Sequence, residues 1–262
     1  MNVSHEKNVI NFWKQETLEI IEGRGAIDLP RHTHNSYVIG VITSGKLKIC
    51  MKEKEYHVEK GTAFIVPSNV GISMQHETSY SYTVFCFSKE AADYFNKMQP
   101  SGLIIENVGD AIQREYEQYR KKKNQLVLME ALKNILHFSP RVDIQQEHFC
   151  ELDTKYQIVQ QAVAYMKAHV EERYRIEEVA DALYISKYHF SRIFKEVMDI
   201  TPKQYMMQTK LRRVKELIIE ESSSTKVAID MDYAAQSHLC NVFKKYMGIS
   251  ICDYKKHLTI YS

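Results

Sequence analysis

Apolar positions along this 262-residue chain change their period twice. Between residues 17 and 90 they come in short runs rich in Val, Ile, Tyr and Phe: Leu18–Glu22, Tyr37–Thr43, Lys46–Met51, Glu55–Val58, Ala63–Val66 and Tyr82–Phe87. Turn residues separate the runs at Gly23-Arg24-Gly25, Ser44-Gly45, Lys60-Gly61 and Pro67-Ser68-Asn69. Short strands at regular spacing predict a sandwich or small barrel, which can hold one small molecule between its sheets. The residues before this region read as a polar lead-in. From Asp110 to His137 the spacing turns helical, with Ile112, Tyr116 and Tyr119 on one stripe and Leu128, Leu132, Ile135 and Leu136 on the next. The charged knot Arg120-Lys121-Lys122-Lys123-Asn124 divides two helices there. Phe138–Asp153 is polar, aperiodic and contains Pro140, as an interdomain linker would. An amphipathic helix follows at Tyr156–Val170.

The stretch Ile176–Lys195 then reads as two short helices around a turn. Ile176, Val179, Ala180 and Leu183 fall at i, i+3, i+4 and i+7, and Phe190, Ile193, Phe194 and Val197 repeat the spacing. Ser186 is placed to cap the second helix. Lys187, Tyr188, Ser191, Arg192 and Lys195 share the face opposite the apolar stripe. Two readings of this face stand: a helix that enters a major groove, or a helical hairpin with a solvated basic side. Thr201-Pro202 opens a further helix with Pro in its first turn, long enough to join two small units.

Composition adds little until it is divided. At 44% hydrophobic and 26% charged residues the chain is ordinary globular material, and its net charge is only +2. Residues 1–153 hold 18 Lys/Arg against 20 Asp/Glu, whereas residues 154–262 hold 17 against 13. Eight basic and two acidic residues lie between Lys187 and Lys215, and local charge is what phosphate contact requires. The five scattered cysteines form no CxxC pair, so zinc and disulfide frameworks are disfavoured and reduced thiols in the cytoplasm are expected. No run of 18 apolar residues occurs, which argues against a membrane span, and the N-terminus lacks an apolar export segment.

An internal repeat decides between the two readings. Ser191–Tyr205, SRIFKEVMDITPKQY, is echoed 49 residues later by Cys240–Tyr254, CNVFKKYMGISICDY. Phe194, Lys195, Met198, Ile200, Thr201 and Tyr205 correspond to Phe243, Lys244, Met247, Ile249, Ser250 and Tyr254. Val179-Ala180 matches Val227-Ala228 at an offset of 48, so the second unit carries one extra residue in its turn. A duplicated helix-turn-helix joined by one helix is the pattern of a DNA reader, its two helices about 34 Å apart in successive major grooves.

Residues 156–258 thus resemble the DNA-binding domain of AraC/XylS-type regulators, through Val179-Ala180, Ser186, Phe190-Ser191-Arg192, Phe194-Lys195, Thr201-Pro202, Tyr205, Leu211, Gln236-Ser237-His238, Phe243-Lys244-Lys245, Gly248 and Tyr254. The chain departs from that pattern at Lys210 (usually Arg), Ser224 (often apolar), Asp232-Tyr233 (usually Gly-Phe), Asn241 (usually basic) and Ile251 (usually Pro). If position 232 needs a positive φ, Asp tolerates it less well than Gly. The resemblance implies an α+β two-domain protein. A cupin-like effector-sensing barrel would span 1–105, a helical pair 106–138, a linker 139–153 and the DNA-binding domain 154–262. It implies double-stranded DNA, a small-molecule effector and RNA polymerase as partners, a homodimer, more often activation than repression, and no cofactor. The helical pair either forms the dimer contact or packs on its own barrel.

Within the reading helices, Arg192 suits guanine O6/N7, Tyr188 a thymine methyl and Ser191 a permissive contact. Gln236 and Asn241 suit adenine, with Ser237 beside them. Lys187 belongs to the first set, and Lys195, Lys244 and Lys245 suit phosphates. With Arg192 matched by Asn241, the first unit is expected to carry most of the sequence-specific affinity.

The barrel segment resembles a cupin through His32-x-His34, Gly61 with Pro67 six residues on, and the hairpin SYVIGVITSGKLKI. The glutamate that follows HxH in metal-binding cupins is missing at Tyr37-Val38-Ile39, and the second-motif histidine is missing at Gly71-Ile72-Ser73. Two imidazoles, even with His76 close by, make a poor metal site. His32 and His34, two apart on one strand face, are pocket residues or satisfied core histidines; with Arg31, Tyr37 and Tyr82 they form the candidate ligand-binding set, suited to a sugar, carboxylate or phenol. Two alternatives stay open: a metal-dependent cupin enzyme with a helical tail, and a regulator controlled by a protein partner.

Overall fold

A computed structural model describes residues 8–51, 54–88, 90–91, 95, 103–139, 142–143, 154–172, 175–221 and 223–260. The chain divides into two compact units. The first runs up to Gln146 without Arg31–Thr33 and takes in the residues from Lys256 on; the second comprises Arg31–Thr33 and the stretch from Glu147 to Lys255.

The first unit is a two-sheet β structure with a helical pair. In chain order the strands are β1 (Val9–Gln15), β2 (Leu18–Gly25), β3 (Leu29–Thr33, of which Arg31–Thr33 fall in the second unit), β4 (Tyr37–Ser44), β5 (Lys46–Met51), β6 (Lys54–Glu59), β7 (Ala63–Val66), β8 (Gly71–His76), β9 (Tyr80–Phe87) and β10 (Leu103–Ile105). Helices α1 (Gly109–Lys122) and α2 (Gln125–Phe138) follow, then β11 (Val142–Asp143), and Leu258–Ile260 form β12. One sheet has the order β11-β10-β7-β4-β9-β2-β1-β12, the other β3-β8-β5-β6.

The six expected runs are all strands, as is the segment that carries His32, but β1, β8 and β10 were not anticipated. In β1 only Ile10 and Phe12 are fully buried, too few to announce an alternation among Asn8, Asn11 and Lys14. The two-residue β11 falls where the linker is expected and pairs with β10; positions 140–141 and 144–153 of that tract lie outside the described residues. The three-residue β12 pairs in parallel with β1, Phe12 opposite Leu258, in a tail assigned from sequence to the DNA-binding domain. So short a strand has no period to read and forms only because β1 offers it an edge.

Alternation gives the larger sheet two faces. Leu18, Ile20, Tyr37, Ile39, Val41, Ala63, Ile65, Phe85 and Phe87 point to one side and pack with Ile112, Tyr116, Tyr119, Leu128, Leu132 and Leu136 of the helical pair in a single core. The break between α1 and α2 is made by Lys123 at φ +53°, which caps α1, and by Asn124, whose side chain accepts from Val127 N at 3.1 Å to start α2. On the opposite face, Val38, Ile42, Phe64, Val66, Val84 and Cys86 are also buried. The smaller sheet contributes Leu47, Ile49, Met51, Val58, Ile72 and Met74 as its buried face. With the outer face taken by helices, these two apolar faces enclose the interior. Two glycines shape it. Gly40 pairs with Phe64 and Gly23 with Tyr82, and a Cβ on either glycine would strike the facing ring. Each ring lies flat across the strand its partner glycine leaves bare.

The second unit is helical: α3 (Thr154–Ala168), α4 (Ile176–Ala182), α5 (Lys187–Met198), α6 (Pro202–Glu220), α7 (Ser224–Asp230), α8 (Gln236–Met247) and α9 (Ile251–His257). No described helix is long and apolar enough to cross a membrane.

Candidate nucleic-acid interface

Helices α4 and α5 form the first helix-turn-helix. Val179, Ala180, Phe190, Ile193 and Phe194 are at 0% exposure and pack against Val159, Ala162 and Met166 of α3. The stripes read from the sequence are therefore the ones that bury. The turn closes where Ile185 N donates to Ala180 O at 3.1 Å. Ser186 caps α5 by accepting from His189 N at 3.2 Å. Thr201 and Gln204 form a reciprocal capping box at the start of α6, with Pro202 at its first position.

Helices α7 and α8 repeat the construction. Tyr233 N donates to Ala228 O at 2.8 Å, the counterpart of the Ile185–Ala180 bond. Four residues separate α4 from α5 and five separate α7 from α8, which accounts for the shift from 48 to 49 in the repeat. The extra residue falls between Tyr233 and Ala235, and Ala235 caps α8 without a side-chain bond. Both reading helices end on a left-handed cap, Asp199 at φ +60° and Gly248 at φ +75°. Phe194 meets Tyr205 edge-on at 5.6 Å and 65°; Phe243 meets Tyr254 at 5.5 Å and 67°. Ser250 takes the place of Thr201, accepting from Asp253 N at 3.1 Å, so Ile251 starts α9 without a proline.

The left-handed turn position is real in both units. Asp232 has φ +53°, and its counterpart Tyr184, where nothing in the sequence flags strain, has φ +55°. Sequence reasoning also left Lys210 without a role; its Nζ donates to Met231 O at 3.3 Å and so braces the second turn from α6. Burial pushes the Tyr233 hydroxyl up to about 12.

Each reading helix turns its polar side chains outward. Lys187, Tyr188, Arg192 and Lys195 are exposed on α5, with Ser191 half-buried; Gln236, Ser237, Asn241, Lys244 and Lys245 are exposed on α8. Tyr188 is 83% and Tyr184 97% exposed, which for rings of that size is a surface without cover. The one acid between Lys195 and the end of α5, Glu196, is paired with Lys155 of α3 at 2.5 Å. An exposed face of cations, amides and aromatic rings on a short braced helix, present twice, can grip phosphates and read base edges.

Of the five candidate ligand residues, Tyr37 and Tyr82 are on opposite faces of one sheet. Tyr37 is buried among the outer-face core and stacks on Phe95 at 5.1 Å. Tyr82 stands three residues from Phe85 on β9, hence on the opposite, inner face, where it stacks on Tyr80 at 5.6 Å. The two tyrosines therefore do not line one cavity. Arg31 belongs to the second unit and pairs with Asp199. His32 lies on β3, but His34 lies past its end, so the two imidazoles do not share a strand face as expected; the His34 carbonyl accepts from Asn69 N at 2.7 Å. His76 Nδ1 sits 2.7 Å from Asp28 Oδ1. Among the described residues no three His, Cys, Asp or Glu side chains converge as metal ligands would.

Comparison with known proteins agrees with this architecture. Residues 18–136 match the AraC-like ligand binding domain family and residues 179–257 a helix-turn-helix domain family. The chain is 19% identical to the lactose operon transcription activator of Staphylococcus xylosus over 246 residues, covering 85% of each chain. It is 25% identical over 91 residues to the transcriptional regulator ArgR of Pseudomonas aeruginosa, which is 34% of this chain and 28% of that one. Its fold matches the crystal structure of ToxT from Vibrio cholerae O395 with a TM-score of 0.61 at 13% identity, over 97% of this chain and 98% of that one. A paired helix-turn-helix domain preceded by a two-sheet fold that matches the AraC-like ligand binding domain places the chain in the AraC family of ligand-responsive, DNA-binding transcriptional regulators.

Proposed function

We propose that the protein works as a cytoplasmic homodimer that raises transcription through contact with RNA polymerase, and that α5 and α8 are its two DNA readers. The observation that carries the second statement is the duplicated construction: cap, turn, buried stripe and aromatic pair recur, and each time the opposite face is polar and exposed. In this reading Arg192 forks onto guanine O6 and N7, Tyr188 touches a thymine methyl and Ser191 makes a permissive contact. Gln236 and Asn241 address adenines, with Ser237 alongside. Lys187, Lys195, Lys244 and Lys245 hold phosphates. Selection of bound sequences from random duplex DNA supplies the operator, and titrations on it test the assignment. Arg192→Ala should cost about 1–3 kcal/mol and relax preference at one base pair. Lys244→Ala should weaken all sequences alike and shrink the salt slope by about one. If neither substitution changes binding, the assignment is wrong.

The effector belongs between the two sheets, and we read it as a molecule with an apolar body. The inner face is lined by Val38, Ile42, Phe64, Val84 and Met74, with the Tyr82 hydroxyl as a polar handle held protonated by burial. That lining disfavours a sugar, which needs many hydrogen-bond partners. A ToxT structure of similar fold contains an unsaturated fatty acid, which is the same kind of molecule. Thermal-shift screening separates the classes: fatty and aromatic acids should raise the melting temperature and sugars should not. Stoichiometric metal in the purified protein, with turnover, would instead revive an enzyme. The dimer reading is supported by Leu126 at 76%, Val127 at 53% and Phe138 at 82% exposure on α2. Leu126→Glu should then shift sedimentation toward monomer.

A further inference from the structure

The two helix-turn-helix units share a side-chain tie with different chemistry in each. In the first, Lys187 Nζ lies 2.6 Å from Glu177 Oε1. In the second, Thr225 Oγ1 donates to Gln236 Oε1 at 3.0 Å. Lys187 and Gln236 are the first residues of α5 and α8; Glu177 and Thr225 are the second residues of α4 and α7. The tied positions therefore correspond, at offsets of 49 and 48, with the extra turn residue between them. One unit closes this corner with an ion pair and the other with two neutral groups.

The corner lies where DNA has to arrive. Lys187 begins the helix whose exposed face carries Tyr188 and Arg192, and the amide end of a helix favours an approaching phosphate. Lys187 and Glu177 side chains are 58% and 45% exposed, so neither is shielded from a duplex docked there. Glu177 puts a full negative charge against the cation at that end. Lys187 is its principal partner and holds the carboxyl below its usual range; Arg175, engaged with Glu178 at 3.2 Å, adds the smallest contribution. A phosphate that recruits Lys187 must take it from Glu177 and then sit beside a carboxylate that has lost its principal cation. The second unit, with Thr225, imposes no such cost.

We propose that Glu177 is a specificity-setting residue that withholds Lys187 from DNA phosphates unless base contacts press the helix into the groove. This rests on α5 being a DNA reader. Binding to a duplex without the operator is almost wholly electrostatic, so it loses most when one phosphate contact is withheld. On the operator, contacts by Arg192 and its neighbours supply the free energy that opens the pair.

The test is titration of a random-sequence duplex with the full-length protein as a function of salt. Glu177→Gln should steepen the dependence of log K on log salt by about one unit. The gain in affinity should be severalfold near ~0.1 M salt and fade toward ~1 M. Glu177→Thr, which installs the residue of the second unit, should act the same way and guards against an effect peculiar to glutamine. Adding Lys187→Gln to Glu177→Gln should return the slope to that of the parent protein, because the gain belongs to the released lysine. An unchanged or shallower slope in both Glu177 variants, or a gain that survives loss of Lys187, overturns the inference. Lys244→Ala in the same titration separates the two levels. If it lowers the slope while the Glu177 variants leave it unchanged, only this inference fails; if it too leaves the slope unchanged, the DNA face itself is misassigned.

Discussion

Tyr184 and Asp232 occupy the left-handed backbone region in which an L side chain crowds the following carbonyl, at a cost of about 1–2 kcal/mol. The turn demands it, since the residue after the C-cap must redirect the chain so that Ile185 and Tyr233 can close onto Ala180 and Ala228. Glycine would relieve the crowding and costs about 0.5–1 kcal/mol of unfolded-state entropy. Tyr184→Gly should therefore raise the unfolding free energy by roughly 0.5–1 kcal/mol, whereas Tyr184→Ala should not, by urea denaturation with an unchanged m-value. Tyr184 is 97% exposed, so no packing is lost to offset the gain. If Tyr184→Gly also weakens DNA binding, its ring takes part in the interface.

At the scale of elements, the two reading helices have the same stripe and different starts. Ser186 satisfies an orphan amide of α5, while Ala235 leaves the corresponding amide of α8 without a side-chain partner. Its backbone is already extended, at φ −161° and ψ 159°, so a hydroxyl there needs no large rearrangement. Ser186→Ala should cost about 1 kcal/mol and Ala235→Ser should return a similar amount, both read as shifts of the urea midpoint. The aromatic pairs are the common element. Phe194 and Phe243 are each at 0% exposure, and truncating either to Ala should cost about 3–5 kcal/mol through lost burial and the cavity left behind. Equal losses at the two sites would show that the second unit is as firmly built as the first, despite its departures in sequence.

For the whole molecule, the inequality between the units becomes an inequality between half-sites. Arg192 offers a charged bidentate fork where Asn241 offers an amide, and Lys244 and Lys245 add grip without sequence information. Base-pair changes in the half-site under α5 should each cost about 1–3 kcal/mol, and those under α8 less, in competition titrations against the selected operator. Equal penalties in both half-sites would sink that expectation. Effector action belongs to the same scale: a ligand moves the equilibrium only by its differential affinity for the two states. An effector that raises the melting temperature without altering operator affinity would be bound but not read.

Most of the DNA-binding unit was legible in the chain because its signals are local. A buried stripe at helical spacing, a serine one residue before a helix and a repeat at 49 residues are properties of neighbours in sequence, and each appears in the structure as written. The positive φ at position 232 was legible too, since a glycine was missing where the pattern expects one. Tyr184 was not, because tyrosine gives no sign of a left-handed backbone. The β unit was half legible. Runs of Val, Ile, Tyr and Phe announced six strands, but β1 buries too few apolar residues to show a period, and β8 and β12 depend on partners supplied from elsewhere along the chain. The ligand residues were least legible. Proximity in sequence grouped Tyr37 with Arg31, His32 and His34, yet a strand sends successive side chains to opposite faces, and only the register of β4 against β9 determines that Tyr37 joins the helices while Tyr82 looks inward. The sequence by itself thus determined where the two helix-turn-helix units lie and which side chains their second helices expose. Tertiary structure alone decided which face of the sheet became an interior, because that choice is made by whatever covers the other face.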